Sequence, residues 1–228
     1  MKLNKMIVLM GLTVLIAFQV SAVAGPSVDN PSGGFQGDLS SLRKRIIPVC
    51  AQFQAGKPSQ SKDKLLSDID SIVSNWKTMA AAYQNNPPAQ YAKDPFWPGY
   101  FDEALDNFVI MRDKAAQGNY KRATQFCGLN CGLFVNMNQV SGIDKLSDKM
   151  FMLRKNAKLM MDMVKAGNWK GAAHMNKHNE EIVAVMPADV ASAYDGFTKE
   201  IEKKDGAAAG KKFMEFMKIF GAAYSNYL

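Results

Sequence analysis

Histidine is nearly absent from this 228-residue chain: His174 and His178 are the only two. A site built on three imidazoles is therefore excluded. Cysteine is scarce as well, with Cys50, Cys127 and Cys131, too few for a disulfide scaffold and odd in number. No Lys/Arg run exceeds the three residues Arg43-Lys44-Arg45, and the net charge is only +7. That excludes a strongly basic nucleic-acid binder. No segment alternates apolar and polar residues with period two, so strands have no signature. No apolar stretch reaches the ~20 residues of a bilayer span. Also missing are a Ser-His-Asp set, a carboxylate pair on an apolar face and a phosphate loop, so no convergent catalytic pocket is marked.

What is present begins at the N-terminus. Lys2 and Lys5 precede the short apolar stretch Met6–Phe18, and small residues follow to Ser21-Ala22-Val23-Ala24-Gly25. A basic start, a short apolar run and an Ala-x-Ala exit read as a secretory signal peptide over residues 1–24. Cleavage leaves 204 residues with 26 Lys+Arg against 21 Asp+Glu, a net charge of +5. The mature chain is expected to be periplasmic or secreted, with no integral membrane segment and no nucleic-acid partner. No Cys follows the cleavage point, so no lipid anchor is expected. Residues 25–37, with Pro26, Pro31 and Gly33-Gly34, have linker composition.

From Asp38 onward the apolar period is 3.6. Eight segments carry it, centred on Leu42/Ile46/Phe53, Ile69/Trp76/Met79, Phe101/Phe108/Met111, Ala123/Phe134/Met137, Met150/Leu153/Met160, Ala172/Ile182/Met186, Val190/Phe197/Ile201 and Phe213/Phe216/Phe220. Gly56, Gly118-Asn119, Ser141-Gly142, Gly167-Asn168 and Gly206 punctuate them, and Pro48 inside the first segment should kink it. A repeat organises the eight. Leu42-Arg43-Lys44 and Ala55-Gly56 recur 111 residues later as Leu153-Arg154-Lys155 and Ala166-Gly167, while Phe126–Met137 lies on Phe216–Tyr227 at an offset of about 90. The fold expected is all-α, two tandem up-down-up-down four-helix bundles over residues 38–140 and 141–228.

Each unit ends in a long helix after a short turn, "AAQGNYKRATQFCGLNCGLF" in one and "KKDGAAAGKKFMEFMKIFGAAY" in the other. This resembles the last hairpin of the class II cytochromes c, the cytochrome c-prime group of exported four-helix bundles. The resemblance implies haem attachment through Cys-x-x-Cys-His. Here Cys127 and Cys131 are separated by three residues, Gly132 stands where the axial His belongs, and the second unit has neither Cys. Covalent haem attachment therefore does not carry over to any residue.

Four candidate sites remain. In an up-down-up-down bundle the first and fourth helices are antiparallel neighbours. Cys50 lies six residues before Gly56 and Cys127 nine after Gly118, depths of roughly 9 and 13 Å. A Cys50–Cys127 disulfide and a copper or zinc site of Cys50, Cys127 and Cys131 both stay open. His174 and His178, four apart, have a metal-holding spacing but point away from their helix's apolar face. The methionines Met150, Met160 and Met186 fall on inward faces and read as core rather than a copper relay. The connection Pro87–Gly99 is long and aromatic. Tyr91, Phe96, Trp97 and Tyr100 form either a platform for a ligand or partner or a cap on the first bundle.

The leading expectation is an exported, non-catalytic helical protein that binds a partner or small ligand on a cytochrome-like scaffold without covalent haem. The alternatives are a soft-metal carrier using the cysteines and an electron carrier holding haem non-covalently through Met and His.

Overall fold

The computed structural model describes residues 34–228, in which eight helices form and no strand does. They are α1 (Gly34–Gln54), α2 (Lys62–Tyr83), α3 (Trp97–Ala116), α4 (Tyr120–Val140), α5 (Leu146–Lys165), α6 (Trp169–Val183), α7 (Ala188–Glu202) and α8 (Gly206–Tyr224). The expected signal peptide, and the linker as far as residue 33, lie outside the described residues. Within the expected linker, residues 34–37 are already helical. Phe35 explains the earlier start: its buried ring meets Tyr83, Tyr91 and Trp97 at centroid distances of 5.3, 5.3 and 4.8 Å. Burying such a ring is worth about 1.5–3 kcal/mol, enough to draw the backbone into a further turn of helix.

Side-chain chemistry sets where the helices begin. Ser61, Asn119, Asn168 and Asp205 each accept a backbone N–H of the first turn that follows, at 2.9–3.3 Å. Such caps are worth about 1 kcal/mol each. The tetrapeptides Gly118-Asn119-Tyr120-Lys121 and Gly167-Asn168-Trp169-Lys170 make the same turn. In both, glycine takes φ of 71° or 74° and asparagine donates its backbone N–H five residues back. The α7–α8 turn repeats this pattern with Lys204 at φ 57°, donating to Ile201 while Asp205 donates to Glu200.

The apolar stripes pack α1 against α2 and α4, α2 against α3, and α3 against α4. The second half follows the same scheme, α5 against α6 and α8, α6 against α7, and α7 against α8. The first core centres on Trp76, stacked on Phe101 at 5.0 Å and tilted against Phe134 at 5.4 Å. Its indole N–H is satisfied by the Phe101 carbonyl at 2.9 Å. The second core runs through Tyr194, Phe197, Phe216 and Phe220.

A buried polar chain joins the halves. Arg43 on α1 donates to Asp148 on α5 at 2.6 Å and to the Tyr224 hydroxyl on α8 at 2.8 Å. The other Asp148 oxygen accepts from Asn138 of α4 at 2.6 Å, and Asn138 in turn accepts from Tyr91 and Gln36. Both charged side chains are 4% exposed. Burial works against the Arg43 charge, but Tyr224 and Asp148 outweigh it and hold its pKa above the ordinary value. Direct α4–α5 packing is slight, and this chain adds buried polar contacts between the halves.

Asp148→Ala is therefore expected to destabilise the protein by about 3–5 kcal/mol in urea unfolding, because it strands a buried guanidinium. A loss below 1 kcal/mol would show that Arg43 does not depend on this carboxylate. Lys204→Gly is expected to raise stability by about 0.5–1 kcal/mol, since a left-handed Lys is strained where the equivalent turns place glycine. An unchanged or lower melting temperature would contradict that strain.

Candidate functional site

The cysteines divide two and one. Cys50 and Cys127 are disulfide-bonded with Cα atoms 6.0 Å apart, and Cys131 is free and buried. The Met111 sulfur lies 3.4 Å from Cys127 Sγ, a packing contact, since a bridged sulfur has no hydrogen to donate. Burial pushes the Cys131 thiol up, against the pull of Arg43 and Arg154. The three-sulfur site expected for copper or zinc from Cys50, Cys127 and Cys131 thus does not assemble, because two of its thiolates are consumed in a bond. Among the described residues no group of three or more His, Cys, Asp or Glu is placed to hold a metal ion. Nor do these residues fit covalent haem: Cys127 is bonded elsewhere, Cys131 is buried, and Gly132 offers no axial ligand.

His174 and His178 lie exposed on α6 with their Nε2 atoms 3.1 Å apart, one donating to the other. Met150, Met160 and Met186 are buried. Asn179 and Tyr194 both donate to the Met160 sulfur, at 3.6 and 3.3 Å, so this thioether belongs to the core of the second half.

Tyr91 and Trp97 of the aromatic connection pack as a cap, while Tyr100 and Phe96 border a concave surface. Tyr91, Trp97 and Tyr100 are buried, and only Phe96, 66% exposed, faces outward. Trp97 stacks on Tyr91 at 4.5 Å and donates its indole N–H to the Tyr83 carbonyl at 2.8 Å. These rings surround Phe35 and close the end of the first half. Burial and the nearby Asp94 carboxylate push the Tyr100 hydroxyl up to about 12, so it stays protonated.

The concave site is a groove of about 810 Å³ between α3, α4 and α5. That size falls within the range of small-molecule pockets, roughly 300–1,000 Å³. One stripe of α4, Gln125, Leu129, Gly132 and Asn136, forms its floor, with Gly128 and Leu133 beside it. The glycines keep the floor low, and a Cβ added at Gly128 or Gly132 would meet no atom within 4 Å. Phe151, Arg154, Lys155 and Lys158 of α5 form one wall, and Tyr100 and Glu103 of α3 the other. Tyr100, Glu103 and Asn136 also border a second depression, lined by Phe96, Pro98 and Val140, so the two run together. Leu129 and Val140, 53% and 51% exposed, mark its length. Arg122, Arg154, Lys155 and Lys158 face a single carboxylate, Glu103. None of the four cations lies within 4 Å of a carboxylate oxygen among the described residues. No periodicity argument could find this groove, because it exists only where α4 and α5 diverge.

No protein-family model, curated protein or solved structure matches the chain.

Removing the disulfide by Cys50→Ala with Cys127→Ala is expected to lower stability by about 2–4 kcal/mol. Thiol titration of unreduced protein should find none reactive when native and one after unfolding, that of Cys131. Three reactive thiols in unreduced, unfolded protein would contradict the bridge.

Proposed function

We propose that the chain is an exported helical protein that binds a small, elongated ligand in the α3/α4/α5 groove. The groove itself carries this reading: it is long, open to solvent, and floored by Leu129 and Gly132 between the amides Gln125 and Asn136. Its lining includes no His, Cys or Ser and a single carboxylate, which favours holding a molecule over transforming one. The disulfide supports an oxidising compartment, in keeping with the signal-like N-terminus. The matching contact scheme of the two halves and the recurring Leu-Arg-Lys support a tandem duplication of an up-down-up-down four-helix unit. On this reading the ancestor is cytochrome c-prime-like and the haem has been lost.

Nile red, a neutral dye that fluoresces in apolar surroundings, tests the groove. The native protein is expected to enhance and blue-shift its emission. Gly132→Leu is expected to abolish that signal while keeping the circular dichroism and thermal stability, because the added side chain enters open space and leucine favours helix over glycine. Equal dye binding by both proteins would place the ligand elsewhere.

A further inference from the structure

The groove's charge is unevenly placed along its length. Arg154, Lys155 and Lys158 line the α5 wall, whereas the depression beyond Tyr100 is bounded by Phe96, Pro98 and Val140. The cations thus gather along the α5 wall, and beyond Tyr100 the surface carries Phe96, Pro98 and Val140 beside Asn136 and the lone carboxylate, Glu103. The α4 stripe from Gln125 to Val140 spans 15 residues, about 23 Å of helix. An acyl chain occupies about 15 Å in a membrane, half of the ~30 Å hydrocarbon core. A single chain plus a head group fits that run.

Arg154 is the most specific element. Its guanidinium lies over the Phe151 ring at 5.7 Å and over the Tyr224 ring at 6.0 Å, so two aromatic rings favour its place in the wall. Among the described residues no side-chain acceptor takes its N–H groups, in contrast to Arg43, the corresponding residue of the repeated Leu-Arg-Lys, which donates to Asp148 and Tyr224. Both arginines flank Tyr224, one at its hydroxyl and one at its ring. A planar guanidinium with free donors suits a carboxylate, which it can grip with two parallel bonds. Beside it, burial and the Arg154 charge together pull the Lys158 ammonium pKa down, against Asp162. An anion at this end would relieve the repulsion.

Building on the groove reading, we infer that the ligand is an acyl carboxylate, its head group held by Arg154, Lys155 and Lys158 and its chain lying over Leu129 and Gly132 toward Val140 and Phe96.

The test is displacement of Nile red from the full mature protein by laurate, dodecanol, dodecyl phosphate and acetate at matched concentrations. Laurate is expected to displace the dye at least ten-fold more effectively than dodecanol, and acetate not at all. Arg154→Gln is expected to weaken laurate about ten-fold more than it weakens dodecanol, with circular dichroism confirming the fold; an equal loss for both overturns the head-group placement. If laurate and dodecanol compete equally, the anionic head is wrong and the groove reading stands. If dodecyl phosphate competes better than laurate, the carboxylate assignment is overturned in favour of a phosphorylated lipid head. If Nile red itself does not bind, the groove reading fails and this inference with it. Should Arg154→Gln lose dye binding and helicity together, Lys158→Gln replaces it, and an unchanged laurate affinity in that variant overturns the head-group placement.

Discussion

A buried guanidinium needs a partner, and among the described residues Arg43 finds its hydrogen-bond partners in the other half of the molecule. Removing a charge from water costs several kcal/mol unless a counter-charge and hydrogen bonds replace the lost hydration. Asp148 and Tyr224 supply both at 2.6 and 2.8 Å. Asp148 is fixed in turn by Asn138, and Asn138 by Tyr91 and Gln36. The chain thus reaches from the aromatic cap of the first half to the last helix of the second. α4 and α5 touch little, and this polar chain joins the halves alongside a buried apolar cluster that runs through both.

The same constraint shapes α4, which serves two environments. One side carries Phe126, Cys127, Phe134 and Met137 into the first core, where the bridge to Cys50 ties it to α1. Another presents Gln125, Leu129, Gly132 and Asn136 to the groove. A helix shared in this way must be held from behind, and the disulfide does so. Tyr224 connects the two systems. Its hydroxyl accepts from Arg43 and its ring supports Arg154, so the contact that joins the halves also orients the most exacting donor of the groove.

The helices were legible in the sequence because each buries a stripe at the α-helical period and ends at a Gly, Asn or Pro signal. The level of Cys50 with Cys127 followed from counting residues back from two turns. Phe35 was hidden by Gly33-Gly34, whose linker composition outweighed one aromatic residue, although Gly34 itself takes φ 52° and starts the helix. Arg43 and Asp148 were illegible for a different reason. A charge inside an amphipathic pattern looks like a solvated position, and only a surface arriving from another part of the chain buries it. The groove was invisible on the same grounds. Arg154, Lys155 and Lys158 read as the wet face of a helix until α4 is placed beside them.

The separation of Arg43 from its partners also has a temporal side. Asp148 lies 105 residues downstream and Tyr224 lies 181 downstream. At synthesis rates of about 5–20 residues per second, Asp148 is made roughly 5–20 s after Arg43. Throughout that interval the Arg43 face of α1 lacks the surface that covers it, and the guanidinium keeps its water. The first half can therefore pack its own apolar stripes without trapping a charge, and the cation leaves water only when its counter-ion arrives with α5.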